Sequence, residues 1–199
     1  MDQETETTQT SSSEQDIILQ AALKLFANKG YFNTSLVDIK EAADLQNLQI
    51  IHHHFKTKQL LASALYANVS DSLSISIDDI SRRNPKASEQ LRGIVDLLFT
   101  LTDDAPDVMR FILTVKINDF LHEEKIGLEA PAQNKIIKII DAGIKAGEIR
   151  NICPQLAYAY FFGVIDNTLK LVLAGSLDKK ADFYQAQAWL AAWNTIAKK

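Results

Sequence analysis

The stretch from Ile18 to Leu61, ILQAALKLFANKGYFNTSLVDIKEAADLQNLQIIHHHFKTKQLL, carries three apolar periodicities separated by turn signals. Ile18, Ala22, Leu25 and Phe26 form one helical stripe. Ser13, with Asp16 three residues on, predicts the start of that helix, and Gly30 predicts its left-handed end. Thr34 or Ser35 caps a short second helix in which Leu36, Ile39 and Ala43 recur at spacings of three and four. A turn at Asp44 to Gln46 leads into a third helix, Asn47 to about His54, and Thr57 caps a longer fourth one. A compact three-helix unit feeding a connecting helix is the expected arrangement.

Outward from this segment the chain reads as helical to its end. Asn84-Pro85 is a break, Ser88 predicts a cap for a helix to about Leu101, and Pro106 suits the first turn of one reaching about Leu121. After a loop at 127–131, helices are expected from about Ala132 to Ala146, from Pro154 to about Ala174, and from Asp178 onward. Upstream, residues 1–13 read as a disordered tail. The fold class is therefore all-α with about nine helices. Its divisions are a tail at 1–13, a helix-turn-helix domain at 14–60, and a ligand-binding and dimerisation domain at 61–199.

The chain has 199 residues, 47% of them hydrophobic and 23% charged, which suits a packed globular protein. Asp2, Glu4 and Glu6 account for three units of the net charge of -4, leaving 22 acids against 21 bases elsewhere. No strongly basic face is implied, so any nucleic-acid contact is local. Cys153 is the only cysteine, which excludes an internal disulfide and fits a cytoplasmic location; it is expected to be a small core residue. The most apolar stretch, Ala157 to Gly175, is interrupted by Asp166, Asn167 and Lys170, so no membrane span is expected.

The quoted segment resembles the DNA-binding domain of the TetR/AcrR family, in AALKLF followed by KGY, then TSLVDIKEAA, then HHF and KTKQLL. IIDAGIKAGEIR, Ile139 to Arg150, is similar to a helix end common in the second domain of that family. The resemblance implies a two-fold dimer that places its third helix in the major groove, with half-sites about 34 Å apart or at multiples of that. It implies that the amino ends of the second and third helices, with Thr34, Thr57 and Lys58, offer donors to phosphates. His52 stands where the family usually has a phosphate-binding tyrosine, and Asn47 and Gln49 are the polar residues for base edges. Ser35, Leu48, His53 and Lys56 complete the expected DNA-facing set. Asp44 replaces the usual turn glycine, and the turn is one residue longer than the family norm.

His52-His53-His54 does not read as a metal site, because consecutive helical positions point about 100° apart. His122-Glu123-Glu124 lacks the second histidine of a zinc-protease helix. With no nucleophile, base or phosphate-loop constellation, no enzyme, cofactor or metal is expected. Phe99, Met109, Leu113, Phe162 and Asp166 are expected to line an effector pocket, Asp166 with a polar group of the ligand, a partner subunit or solvent as its open alternatives. Tyr158, Phe161, Trp189 and Trp193 are expected at the dimer interface, in a four-helix bundle of the last two long helices. The expected function is a ligand-responsive transcriptional repressor, binding palindromic operator DNA and a largely apolar small molecule. The alternative is a dimeric interaction protein of the same fold that has lost specific DNA binding.

Overall fold

A computed structural model describes residues 3–115, 120 and 131–199, with side chains described from 14 onward. Among them are nine α-helices and no strand, only an isolated bridge between Ile149 and Ala197. The helices are α1 (Gln3–Lys29), α2 (Leu36–Ala42), α3 (Leu48–His54), α4 (Lys58–Arg83), α5 (Ala87–Asp104), α6 (Pro106–Thr114), α7 (Pro131–Lys145), α8 (Pro154–Leu173) and α9 (Ala181–Ile196). The expected reach of α6 to Leu121, the 127–130 loop and His122-Glu123-Glu124 lie outside the described residues. The backbone from Gln3 continues into α1, so residues 3–13 form helix instead of the expected tail; Ser13 does not interrupt it.

The chain forms two compact units, Met1–Asn68 with Arg110–Ile126, and Val69–Met109 with Gly127–Lys199. The boundaries fall inside α4 and α6, so each of these helices contributes to both.

In the first unit Ile18, Leu19, Ala22 and Phe26 of α1 are buried together with Ile39 of α2, Ile51 of α3, Phe55 and Leu61. Gly30 ends α1 at φ +85, and its amide donates to Phe26 O at 3.0 Å. α2 opens with a reciprocal cap: Ser35 Oγ accepts from the Asp38 amide at 3.1 Å, and Asp38 accepts from the Ser35 amide at 2.7 Å. After α2, Asp44 takes the left-handed conformation, φ 53, in which glycine is usual. The Leu45 amide then reaches back to Lys40 O at 3.0 Å, closing the helix end as a glycine would.

In the second unit α8 packs on α9 and α7, and α5 packs on α7, α8 and α9. Leu91, Ile94, Val95 and Phe99 of α5 meet the buried faces of the others, including Ile140, Phe161, Ile165 and Ala192. Gly143 is required by the approach of α7 to α5, since a Cβ there would lie 2.7 Å from Ala87 Cβ.

Two helices of this unit are capped by distant carboxylates. Ser88 does not cap α5; Lys86 holds that backbone position, and Glu148 accepts from the Ala87 and Ser88 amides at 3.1 Å and from Ser88 Oγ. α9 starts at Ala181, not Asp178, because Asp103 accepts from the Ala181 and Asp182 amides at 2.8 and 3.1 Å. Asp178 instead accepts from the Tyr184 hydroxyl at 3.0 Å. Cys153 is exposed, contrary to the core placement expected: it precedes Pro154 at the amino end of α8, where its thiol donates to Gln155 Oε1 at 2.9 Å.

Burial opposes the charge of Glu148, but the donors from Ser88 and Ala87 and the nearby Lys86 outweigh it and hold its carboxyl below the ordinary range. Glu148→Ala is expected to cost about 1–2 kcal/mol at neutral pH, read as a lower urea midpoint. A group titrating lower when folded stabilises above its unfolded value, 4.5, and that stability is lost as pH falls. The variant and the wild type are therefore expected to converge in acid, and equal midpoints at neutral pH would remove Glu148 as a cap.

Candidate nucleic-acid interface

The two seven-residue helices of the first unit present the expected surface, and the inward stripe of α3 fixes which side faces out. Ile51 and Phe55 are buried and Leu48 is half-buried, which leaves Gln49, His52 and His53 exposed on the opposite side. Lys56 and Thr57 follow, both exposed. Gln49 to His53 and Gln49 to His52 are one turn apart, so these side chains share a face.

Several expected contact residues are turned to internal work. Thr34 is 1% exposed, and its hydroxyl donates to Gly30 O at 2.9 Å. Lys58 donates its ammonium to Tyr31 O and Thr34 O, each at 2.9 Å, and sits 4.3 Å from the centre of the Tyr31 ring. Burial pushes the Lys58 pKa down. These two residues thus fasten the turn between α1 and α2. Asn47 is the N-cap of α3: its side-chain oxygen accepts from the Ile50 amide at 3.3 Å. Thr57 accepts from the Leu60 amide at 3.1 Å and keeps its hydroxyl proton.

At the amino ends of α2 and α3 one helix amide each is bonded from within, Asp38 N to Ser35 Oγ and Ile50 N to Asn47 Oδ1. The hydrogen bonds from the Ser35 side chain and backbone, with the charge of Lys29, hold Asp38 below the usual carboxylate range. Lys29 lies 3.8 Å from Asp38, while Lys24, Lys40 and Lys56 make no ion pair among the described residues. His54 is turned inward, its side chain 6% exposed, with Nε2 3.3 Å from Glu14 of α1. His52 Nδ1 lies 3.4 Å from Lys56 O.

The remaining expected sites belong to the second unit, apart from Leu113, which falls in the first. Phe99, Met109 and Phe162 are buried and Leu113 is half-buried. Asp166 is half-buried one turn beyond Phe162, and burial pushes its carboxyl up to about 6 against the pull of Lys170.

Of the expected interface residues, Phe161 is fully buried with its ring edge-on to Trp189 at 5.8 Å. Tyr158 stacks on Phe162 at 4.7 Å and Trp189 on Trp193 at 5.4 Å, with the Arg92 guanidinium 5.3 Å from the Trp189 ring. Phe161 is thus part of the core, while Tyr158, Trp189 and Trp193 are half-buried. Exposed apolar residues of this unit include Leu156, Tyr160 and Leu171 of α8, Phe183 and Leu190 of α9, and Ile75 of α4. Spacings of four and eleven along α8 place its three on one stripe, which also holds Gly163, with nothing within 4 Å of a Cβ placed there.

Residues 18–65 match the family described as bacterial regulatory proteins, tetR family. The chain is 25% identical over 201 residues to the HTH-type transcriptional repressor NicS of Pseudomonas putida, covering 95% of this chain and 92% of the relative. Among solved structures it is similar to a TetR family transcription regulator from Marinobacter aquaeolei, with TM-score 0.81 and 24% identity over 96% of this chain and 100% of that one. It is also similar to the regulator FadR of Bacillus subtilis in complex with stearoyl-CoA, with TM-score 0.77 and 18% identity over 88% and 96% of the two chains.

Replacing Lys58 by methionine removes the ammonium donor to Thr34 O and to Tyr31 O, the latter keeping the Thr34 amide at 3.3 Å. The expected result is a loss of about 1–3 kcal/mol in stability and faster hydrogen exchange at the Thr34 and Ser35 amides. Unchanged exchange at those amides would show that the ammonium does not hold the turn.

Proposed function

We propose that this chain, which belongs to the TetR family of bacterial regulatory proteins, is a cytoplasmic repressor that binds a palindromic operator as a homodimer and releases it when a small molecule occupies the second unit. The observation that carries the reading is the outward face of α3, where Gln49, His52 and His53 stand exposed beside Lys56 while the rest of the head is fastened inward. The amide of Gln49 pairs best with adenine, and Lys56, with the hydroxyl proton of Thr57, meets the backbone phosphates. The name of the NicS relative supports repression.

The exposed stripe of α8, continued by Phe183 and Leu190 on α9, supports dimerisation through those two helices. α8 is long and apolar enough to cross a membrane by length and composition alone. A partner subunit on that stripe accounts for the same apolar surface.

For the effector, a structural neighbour that holds stearoyl-CoA supports a largely apolar ligand, with Phe99, Met109 and Phe162 among its walls and Asp166 receiving a polar group. Switching requires the ligand to bind the DNA-incompetent state more tightly than the competent one. α4, shared by both units, is the element through which occupancy reaches the head.

Selection from a random duplex library is expected to return a palindrome, whereas weak binding without a consensus would favour a protein-interaction role for the near-neutral head. On the selected duplex, Lys56→Ala is expected to reduce the salt dependence of binding by about two counterions per dimer. Lys58→Met is expected to weaken binding with the salt slope kept.

Gly163→Leu adds a side chain where the unit has open space, so it should fold at least as well and sediment as a monomer. A dimer of unchanged affinity would move the interface elsewhere.

A further inference from the structure

We propose that a cleft on the outside of the second unit, between α5 and α9, binds a zwitterionic α-amino acid with an apolar side chain. Spacings of three and four put Glu89, Arg92 and Asp96 on one stripe of α5. With Gly93, with Asn84 beyond the end of α4, and with Trp189 of α9 across from them, they line a cleft of about 520 Å³, in the size range of small-molecule sites. Gly93 lets α4 lie close against this part of α5, since a Cβ there would meet Ile80 Cγ2 at 2.8 Å. The cleft shares none of Phe99, Met109, Phe162 and Asp166, so it is a site separate from the effector pocket.

Arg92 is fixed on two sides and open on a third. Its Nε donates to Asp96 at 3.1 Å, its guanidinium lies 5.3 Å from the centre of the Trp189 ring, and its side chain is still 42% exposed. The terminal Nη pair is left for a planar, bidentate acceptor, which is the pattern of a carboxylate. Asp96 accepts from Gln185 of α9 as well as from Arg92, so its charge is already matched. Glu89, one turn before Arg92, is exposed and pairs with no cation among the described residues; it accepts from the Lys86 amide at 3.4 Å. Two opposite charges thus stand one turn apart without pairing with each other. A simple anion at Arg92 would be repelled by Glu89, and a simple cation at Glu89 by Arg92. An amino acid meets both, its carboxylate on Arg92 and its ammonium on Glu89. Its side chain then lies against the half-buried indole of Trp189, which Trp193 backs at 5.4 Å.

Trp189 and Trp193 are the two tryptophans of the chain, so intrinsic fluorescence reads this cleft directly. The test titrates the full chain with L-phenylalanine, L-leucine and L-methionine, each also as its N-acetyl derivative and as its amide. At least one free amino acid is expected to change the tryptophan emission with saturation. Its N-acetyl and amide forms, each lacking one charge, are expected to bind about tenfold or more weakly. Glu89→Gln is expected to abolish the preference for the free over the N-acetyl form, and Arg92→Gln the preference over the amide. Thermal unfolding checks both variants; should Arg92→Gln be unfolded, Glu89→Gln, at an exposed position, decides. The absence of saturable change with all three amino acids, or equal affinity for free and blocked forms, overturns the proposal. Saturable binding that the substitutions leave unchanged also overturns it, and would put the ligand elsewhere in the unit. No DNA enters the test, so its failure leaves the repressor reading untouched.

Discussion

Helices of seven residues do not persist in water by themselves, and both helices that make the exposed face of the head have that length. Their existence depends on side chains that anchor them: Ser35 and Asp38 at one amino end, Asn47 at the other, Ile39 and Ile51 beneath, and Lys58 across the preceding turn. The polar anchors among them turn their donors and acceptors inward. The outward chemistry of the head is therefore what remains after anchoring: Gln49, His52, His53 and Lys56 stand exposed, while Thr34, Asn47 and Lys58 bond within the head.

The helices themselves could be placed from the sequence wherever a local signal ends them. Gly30 and Gly147 take left-handed conformations at the ends of α1 and α7, and Pro106 and Pro154 open α6 and α8 where expected. Signals that act across the chain were not readable. The starts of α5 and α9 are set by Glu148 and Asp103, sixty to eighty positions away from the amides they bind, so nearby Ser88 and Asp178 looked like the caps. Residue type also did not separate roles in the head. Lys58 has the charge of a phosphate ligand, yet two carbonyls and an aromatic face lie within its reach and hold it.

On α8, apolar residues stand on nearly every side, so periodicity alone did not divide core from surface. The rings of Tyr158, Phe161 and Phe162 fill the unit, and the smaller Leu156 and Leu171, with Tyr160, are left outside. The segment Gly143 to Arg150 repays attention residue by residue. Gly143 admits Ala87, Gly147 turns the chain at φ +77, Glu148 holds α5, and the Arg150 amide donates to Ile196 O at 2.9 Å. A similarity that carried no chemistry in the sequence is accounted for by four separate structural duties.

The two kinds of cap have a consequence for the order in which the protein is made. The caps of α2 and α3 join residues three apart, and the Lys58 clamp closes over 27 positions or fewer, so these links can form soon after the ribosome releases their segment. α5 waits for Glu148, 60 residues downstream of Ser88, and α9 needs Asp103 to be in place before its first turn is satisfied. Vectorial synthesis thus favours a head whose local links are complete while the second unit still lacks its fasteners.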